Sequence, residues 1–580
     1  MSYIQKGGML MYKEIYDFAI QNELAAIPNT SKKEIAGYIN LDIDGNFLEI
    51  DIIEKKIRKK VLCPDVGSLA YGKNTSPIVE KREYMFDKSQ KKHEGWVCIM
   101  QDSVKCGREM QAIYNFIRKC EDDEKYIESI NNKLDESKIK AKDFLSYRVN
   151  GKKMEENKCW IEWLEEYKNE HTNTKNKKNR SSEMIVSSIT GKTVESVSEN
   201  TGPQVFAPQT GTGAYVTAIS NPSFESYGLK GNIGASLGDE EAKTIKAGLE
   251  YLLTHEEHYN NKFEIIHWYN NDDVEDLINE FLDYDDDDTD NPDKELSDIF
   301  KCVIKGEKPN NIPDANYHIV KFNVPTKGRE FLSNSHNGTY RELYTNLQKW
   351  YKDSELEYIK KSKESKNKYV QKAVLANLYG MFFSIMSEAD VLSGDKYKKM
   401  NNMLGNSKLE LLYSIYEGTQ IPRIYFKKAI TRFNNSMVRN IEPKRQLVQL
   451  IKVYLIRGEI GEDILMNNKK TKAYNCGRLF AVYEKIQKSS GNVKSNVTLR
   501  YFGAAQKAPQ IFFPKLDELS KTHMKKITSE GMRIWLDKML GEIAVEIGTE
   551  FPDKLSEKER GEFILGYYNQ KVEMFKSKEN

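Results

Sequence analysis

The stretch that decides the fold of the front of the chain is INLDIDGNFLEI, residues 39–50. Apolar and polar side chains alternate over residues 39–43, apolar residues dominate 47–50, and Asp44-Gly45 stands between the two runs. A period of two is typical of a half-buried strand, and Asp-Gly supplies the backbone conformation that a tight turn needs. The sequence therefore predicts an antiparallel hairpin, and with it a sheet, in this part of the molecule.

The segments on both sides of the hairpin extend this reading. Apolar residues recur at helical spacing over Leu10–Leu24, which predicts a helix before the hairpin. The return strand leads into a basic run, Lys55–Lys60, and then into a polar loop, Tyr71–Pro77. A further helix is expected around Trp160–Tyr167. We take residues 1–182 as an N-terminal α+β domain.

The remainder divides into a mixed region and a helical one. Residues 183–329 combine a short strand at Ile185-Val186, a glycine-rich loop at Gln209–Ala214 and a strand at Tyr317–Val324. From about residue 330, glycine and proline become rare and apolar residues recur every three or four positions. We expect residues 330–580 to form an all-helical C-terminal bundle. The predicted fold class is α+β, mixed at the front and helical at the back.

Composition excludes several classes of protein. The 580 residues carry 88 Lys+Arg and 86 Asp+Glu, with 39 % hydrophobic and 30 % charged residues and a mean hydropathy of −0.66. These values exclude fibrous and largely disordered chains. No run approaches the ~18 apolar residues of a membrane span, and Met1–Leu10 lacks the apolar core of a signal peptide. We expect a cytoplasmic protein without a membrane partner.

The small net charge of +2 conceals two opposed segments. Residues 272–300 contain 14 acidic residues and one Lys, and residues 421–526 contain 22 Lys+Arg against seven Asp+Glu. The acidic segment, with Asp285–Asp288 at its centre, is expected to be a solvated loop because like charges repel. The basic segment has apolar residues at helical spacing, which indicates a folded domain with a basic face that attracts polyanions.

Cysteines and histidines give no pattern of a metal site. The seven cysteines form no C-x-x-C pair, so we expect reduced thiols rather than disulfides or a zinc site. His255 and His258 are three residues apart, whereas a zinc-protease helix needs a spacing of four. The acidic run at Asp285 lacks the glycine and distal Glu of a calcium loop. No metal or cofactor is expected.

Catalytic patterns are equally weak. Asp44, Glu54 and Lys56 imitate the two carboxylates and lysine of a metal-dependent nuclease, and this nuclease reading stays open as an alternative. The loop at Gln209–Gly213 lacks the Lys-Ser/Thr ending of a nucleotide P-loop. A second alternative is a purely structural helical scaffold. We expect a protein that is not an enzyme.

Several segments, taken in order, carry a resemblance to one family. They are Ser220–Gly228 (SNPSFESYG), Ala242–Leu253, Ile421–Arg423 (IPR), Gly477–Gln487 (GRLFAVYEKIQ), Arg500–Ala505 (RYFGAA), Phe513–Pro514 and Leu565–Tyr568 (LGYY). Together with the N-terminal helix, hairpin and basic run, they resemble the large subunit of the type I-C CRISPR Cascade, a Csd-type CRISPR-associated family.

The resemblance implies a non-catalytic subunit of an RNA-guided surveillance complex for antiviral defence in bacteria. Such a subunit recognises the protospacer-adjacent motif in double-stranded DNA, aids duplex opening, stabilises the R-loop and helps recruit a helicase-nuclease. The implied partners are target DNA, the crRNA, and the backbone and crRNA-processing subunits of Cascade.

Two groups of residues are the candidates for DNA contact. For reading the motif we favour Lys73, Asn74, Thr75 and Ser76, with Gln209, Thr210 and Thr212 as a second loop, because their donors and acceptors suit base edges. For the DNA backbone the candidates are Arg58, Lys59, Lys60, Arg423, Lys427, Lys428, Arg432, Lys444, Arg445, Arg478 and Arg500.

An internal start is the last expectation. In the family that the chain resembles, a small helical subunit can be translated from within the same gene, and Met466 is the preferred start, with Met437 as a rival. The product, residues 466–580, has 115 residues with 21 Lys+Arg and 14 Asp+Glu, so it is basic.

Overall fold

The structure is a computed structural model. It describes residues 3–25, 30–54, 58, 60–64, 75–157, 159–171, 184–196, 204–206, 213–216, 231–260, 263–271, 273–284, 296–322, 332–361, 368–458, 470–491 and 496–576. The chain forms two compact units, one of Met1–Thr254 with Asn323–Ser333 and one of His255–Phe322 with Asn334–Asn580. The boundary at 254/255 lies inside the predicted middle region 183–329, and the three-region division stays a prediction.

The first unit is built on a six-stranded sheet. Its strands are β1 (Thr30–Leu41), β2 (Phe47–Ile52), β3 (Lys60–Pro64), β4 (Glu80–Lys81), β5 (Phe144–Val149) and β6 (Lys152–Lys153). The order is β2-β1-β5-β4, with β3 paired to β1 and β6 to β5. Strands β1 and β2 are antiparallel, with Ile39 opposite Ile50, so the predicted hairpin is confirmed. Gly45 in its turn has φ +80°, the left-handed region that favours glycine.

The helices of the first unit are α1 (Tyr3–Gln21), α2 (Arg82–Phe86), α3 (His93–Asp102), α4 (Arg108–Asp122), α5 (Glu124–Glu136), α6 (Cys159–His171) and α7 (Asp239–Thr254). Helices α2–α6 contribute apolar residues to the same hydrophobic core as the sheet. In α4 the residues Ile113, Phe116 and Ile117 are buried at helical spacing, and Phe116 meets Tyr147 of β5 edge to face. The helices predicted over 10–24 and around 160–167 are confirmed as α1 and α6, with different bounds.

Two small hairpins complete the first unit. Strand β7 (Met184–Val186) pairs with β8 (Thr193–Glu195), and β9 (Gln204–Phe206) pairs with β10 (Gly213–Tyr215), both antiparallel. Helix α7 packs on α1 so closely that a Cβ added at Gly248 would lie 3.1 Å from the Ile15 carbonyl oxygen. Strand β7 contains Ile185 and Val186, so the strand predicted there is confirmed.

The second unit begins with a four-stranded sheet. Its order is β11 (Tyr259–Asn260), β12 (Ile265–Tyr269), β13 (Asn316–Phe322), β14 (Leu332–Thr339). Helix α8 (Leu277–Asp283) lies within the acidic segment and α9 (Asp298–Lys305) begins at its end, and they bury Phe281 and Phe300. The expectation of a solvated loop is therefore wrong at both ends of this segment, because apolar residues at helical spacing outweigh the charge. The central run Asp285–Asp288 lies outside the described residues.

The rest of the second unit is mostly helical. Its helices are α10 (Tyr340–Ser354), α11 (Leu378–Ser384), α12 (Glu388–Val391), α13 (Lys396–Leu404), α14 (Ser407–Tyr416), α15 (Arg423–Val438), α16 (Arg445–Arg457), α17 (Lys472–Ser489), α18 (Val497–Lys507), α19 (Pro509–Met524), α20 (Glu530–Ile547) and α21 (Glu557–Lys576). An antiparallel ribbon, β15 (Leu356–Lys361) with β16 (Lys368–Ala373), interrupts them. Among the described residues, the part without strands thus begins at Leu378 rather than at 330, because Tyr and β-branched residues favour strands at 358–359 and 369–370.

Helices α17 and α21 form the centre of the C-terminal bundle. A Cβ added at Gly477 would lie 1.9 Å from the Phe563 carbonyl oxygen, and one at Gly566 would lie 2.0 Å from that of Tyr474. Glycine lets the two backbones touch at both places. The GRLFAV and LGYY segments that carried the resemblance are therefore the two sides of one helix–helix contact. The α+β class with a helical C-terminus is confirmed. No described helix is long and apolar enough to cross a membrane.

Candidate nucleic-acid interface

The predicted motif-reading loop is closed at its base by a hydrogen bond. Strand β3 ends at Pro64, and the Ser76 hydroxyl donates to the Pro64 carbonyl oxygen at 2.7 Å. The Ser76 amide donates to Glu80 Oε2 at 2.7 Å, and both Thr75 and Ser76 are buried. Lys73 and Asn74 lie outside the described residues. The structure therefore gives Ser76 a structural task, which is to hold the two ends of residues 65–74 together.

The cations beside this loop differ in exposure. Lys60 is exposed at the start of β3, opposite Glu34 of β1. Arg58 is half-buried, and its Nε donates to the Ile53 carbonyl oxygen at 3.2 Å while its Nη1 lies 3.8 Å from Asp143. Lys59 lies outside the described residues. Of the two described members of this basic run, Lys60 is the one open to a phosphate.

The second candidate loop is the connection of a hairpin. Gln209, Thr210 and Thr212 lie outside the described residues, between the paired strands β9 and β10. The register places Phe206 opposite Gly213, so residues 207–212 connect the ends of two adjacent antiparallel strands.

Three of the eight predicted backbone contacts of the second unit, Arg432, Lys444 and Arg445, line two clefts at the turn between α15 and α16. On one side a cleft of about 310 Å³ is lined by Arg432, Arg439 and Lys444, with the exposed apolar side chains of Leu392 and Ile441. The half-buried Arg432 donates from Nε to the Ile385 carbonyl oxygen at 3.3 Å. Three cations thus line a single cleft together with Glu388 and Glu442, and Arg439 Nη1 donates to Glu388 Oε2 at 3.1 Å.

A second cleft, of about 290 Å³, lies on the other side of the same turn. Its lining includes Lys444, Arg445 and Lys571 together with Tyr358 and Tyr568. The Arg445 guanidinium lies 4.8 Å from the centre of the Tyr358 ring, a cation–π arrangement. Burial raises the pKa of Tyr568 above its ordinary value. Cations interleaved with aromatic rings suit phosphates and bases.

The beginning of α15 adds further cations. Arg423 is exposed and donates from Nε and Nη2 to Glu557 Oε2 at 2.9 and 2.5 Å. Lys427 is exposed one turn later, and Lys428 is half-buried. Together with Arg432, these three residues place four of the predicted phosphate contacts on α15.

Arg478 and Arg500 lie elsewhere in the bundle. Arg478 is only 8 % exposed, and its guanidinium donates to Gln570 Oε1 at 2.8 Å, Asn475 Oδ1 at 3.1 Å and Glu546 Oε2 at 2.8 Å. It therefore joins α17, α20 and α21. Arg500 is exposed beside a small cleft that also contains Tyr501 and His523. The phosphate contacts of both residues stay predictions.

Four residues of these clefts were missed by the sequence reasoning. Arg439 stands seven residues after Arg432, two helical turns along α15, so a count along one helix face would have found it. Lys571 and the tyrosines Tyr358 and Tyr568 come from distant segments, and no local pattern connects them with the turn.

The residues of the nuclease alternative are partly described. Asp44 is exposed in the hairpin turn, Glu54 is exposed after β2, and Lys56 lies outside the described residues.

His258 is half-buried, and burial together with the neighbouring His267 lowers its pKa. Within the described ranges, no group of three or more His, Cys, Asp or Glu side chains is placed to hold a metal ion.

Comparison with known proteins adds one finding about the whole chain. Residues 12–575 match the family model described as Cas_Csd1, CRISPR-associated protein. A search of the curated proteins found no match. The family match covers most of both compact units, and it includes every motif from Ser220–Gly228 to Leu565–Tyr568.

Proposed function

The chain belongs to the Cas_Csd1 family of CRISPR-associated proteins, and on this premise we propose that it is the non-catalytic large subunit of a type I-C Cascade complex. In this role it binds target double-stranded DNA, reads the protospacer-adjacent motif and stabilises the opened duplex. The observation that carries the proposal is the concentration of Arg432, Arg439, Lys444 and Arg445 in two clefts around one turn.

The electrostatic argument starts from the phosphate backbone. Each cation that neutralises a phosphate releases a counterion, so affinity increases with the number of such contacts and falls with salt. Lys444 is exposed and lines both clefts, so a strand that crosses the turn would meet cations on either side. Because contacts to phosphates carry no sequence information, a surface that binds the phosphate backbone supports affinity rather than sequence recognition.

We assign sequence recognition to the polar loop Tyr71–Pro77 of the first unit. The Ser76–Pro64 hydrogen bond joins the two described residues that flank the segment containing Lys73 and Asn74. Asn and Lys side chains donate to base edges in the major groove. In an RNA-guided complex the protein reads only a short duplex motif while guide pairing reads the long sequence, and one short loop is enough for that task.

The proposed partners follow from the same role. We assign the crRNA and the Cascade backbone and processing subunits as stable partners, and a helicase-nuclease as a recruited one. The RNA–DNA hybrid is about as stable as the DNA duplex that it replaces, so protein contacts to the backbone of the displaced strand shift the equilibrium towards the opened duplex. Cutting is assigned to the recruited enzyme.

A double substitution tests the backbone surface. In filter binding with target duplexes, R439Q/K444Q is expected to weaken binding of all sequences alike and to lower the slope of log affinity against log salt by about 2. The matched control is K301Q/K305Q, which removes the same charge from α9 beside the acidic segment. Equal affinity of variant and wild type at every salt concentration would contradict the proposal.

The motif-reading role needs a separate measurement. N74A is expected to change the order of preference among duplexes that differ only in the motif, with the salt slope unchanged. A uniform loss over all motifs would remove Asn74 from the reading site. Mg²⁺-dependent cleavage by the purified chain would favour the nuclease alternative.

The internal start is also proposed here. Met466 lies outside the described residues, between the end of α16 at Arg457 and the start of α17 at Lys472. A product from Met466 would contain the five whole helices α17–α21, including the Gly477–Phe563 contact, whereas one from Met437 would begin inside α15. Intact-mass measurement of the purified complex is expected to show a 115-residue species that M466L abolishes. A complex without any short C-terminal species would refute it.

A further inference from the structure

The ribbon β15–β16 ends in a concentration of lysines that the proposed function leaves unused. The register places Lys361 directly opposite Lys368, and Lys360 opposite Tyr369. Lys361 and Lys368 are exposed, and Tyr369 is 42 % exposed. Like charges directly opposite each other in a ribbon destabilise it unless an anion lies between or beside them.

The base of the same ribbon has its charges paired. Lys372 donates to Glu355 Oε1 at 2.9 Å, and Lys576 donates to Glu357 Oε2 at 2.6 Å. By contrast, over the described parts of the chain, Lys360, Lys361 and Lys368 make no side-chain ion pair or hydrogen bond. Among the described residues, the ribbon therefore has a base whose charges are paired and a distal half with three lysines that have no acidic partner.

These charges point to both sides of the ribbon. Successive side chains of a strand face opposite ways, so Lys360 and Tyr369 share one face while Lys361 and Lys368 share the other. A flat acidic surface would neutralise only one of these faces. A groove between two phosphate backbones offers negative charge on both sides, and the major groove of a duplex is wide enough for a two-stranded ribbon.

The ribbon is anchored beside the candidate interface. Tyr358 on β15 lies under the Arg445 guanidinium, and Tyr358 and Ile359 line the same cleft as Lys444. Buried Leu356 and Ala373 fix its base in the core of the second unit. A duplex bound at the turn would therefore have the lysine ribbon next to it.

We propose that the β15–β16 ribbon is a second, sequence-independent contact with double-stranded DNA, made by Lys360, Lys361 and Lys368 to phosphates on both walls of a groove. The inference rests on the proposed function in one respect, which is that the chain binds DNA. It adds a separate element, formed by a part of the chain that the sequence reasoning assigned to helices. Because these contacts are made to phosphates, the ribbon contributes affinity and no base preference.

The test uses the full chain and a duplex of fixed length in a salt titration. K360Q/K361Q/K368Q is expected to lower the slope of log affinity against log salt by about 3, about 1 for each lysine. K360R/K361R/K368R keeps the charge and is expected to bind as wild type. K301Q/K305Q/K308Q removes three charges from α9 and the residues after it, and it is expected to leave the slope unchanged.

The outcomes separate this inference from the proposed function. If the wild type binds duplex DNA and the ribbon variant binds with the same slope, the ribbon contact is refuted while the function stands. If R439Q/K444Q and the ribbon variant both bind as wild type, the functional proposal for this surface fails as well. If the three lysines affect a single strand but not a duplex, the ligand is single-stranded DNA and the duplex contact is refuted.

Discussion

At the scale of single residues, burial decides what a charged or reactive side chain does. Arg478 stands in a motif and carries a positive charge, which made it a candidate for phosphate contact. The structure surrounds its guanidinium with Gln570, Asn475 and Glu546. Lys444, which no motif marks, is exposed and lines two clefts. Residue type alone did not separate these two cases.

Replacement of Arg478 is predicted to affect stability. R478Q removes donors from three partners on α17, α20 and α21, and a buried acceptor left without a donor costs about 1–3 kcal/mol. We expect the free energy of unfolding to fall by about 2 kcal/mol in chemical denaturation. The control R500Q changes an exposed residue and is expected to stay within about 0.5 kcal/mol of wild type. Equal stability of the two variants would contradict the interhelical role.

The cysteines allow a prediction about reactivity at different pH. Burial raises the pKa of Cys106, Cys120 and Cys476 to about 12 each, whereas Cys98 and Cys159 are exposed. The thiolate is the nucleophile, and a thiol with a pKa of about 12 is almost entirely protonated at pH 8. Alkylation with iodoacetamide at pH 8, followed by peptide mass spectrometry, is expected to label Cys98 and Cys159 first. Early labelling of Cys476 would show that the C-terminal core opens readily.

At the scale of elements, the sequence predicted those whose signal is local. The hairpin at 39–50 was predicted because its alternation and its Asp-Gly turn both lie within twelve residues. The ribbon β15–β16 was missed because its strands are short, rich in lysine and surrounded by helical patterns. Its position is fixed by distant residues, such as Arg445 over Tyr358 and Lys576 on Glu357.

The contact of α17 with α21 gives a prediction at this scale. In G477A the new Cβ would lie 1.9 Å from the Phe563 carbonyl oxygen, so the two helices must move apart. Overpacking of this kind typically costs 1–3 kcal/mol, and contact with backbone puts G477A at about 3 kcal/mol. G541A is the matched control, because nothing lies within 4 Å of its added Cβ inside α20. We expect G541A to stabilise by about 0.5–1 kcal/mol, as alanine does in a helix interior.

At the scale of the whole molecule, the two compact units have separate hydrophobic cores. The first core includes Ile113 and Phe116, and the second includes Phe480 and Phe563. Chains with more than one such core commonly unfold in more than one transition. The charge distribution adds to this division, because the acidic and basic segments that cancel in the net charge of +2 both belong to the second unit.

Calorimetry is predicted to resolve these units. We expect two thermal transitions in the full chain, with I113A lowering the midpoint of one and G477A lowering that of the other. Each substitution acts on one core, by a cavity in the first case and by overpacking in the second. A single transition that both substitutions shift equally would show that the two cores unfold as one cooperative unit.

The sequence by itself determined the α+β class, the N-terminal hairpin, the basic character of the C-terminal segment and the family to which the chain belongs. Each of these depends on periodicity, turn chemistry, charge counts or motif order, which are properties of neighbouring residues. Only the tertiary structure decided which cations line a cleft, that Arg478 is buried, and that a lysine ribbon lies beside the turn. These properties depend on contacts between segments more than eighty residues apart, as between Arg478 and Gln570 or between Arg445 and Tyr358. Packing brings such residues together through the shape of the whole core, and no local pattern records it.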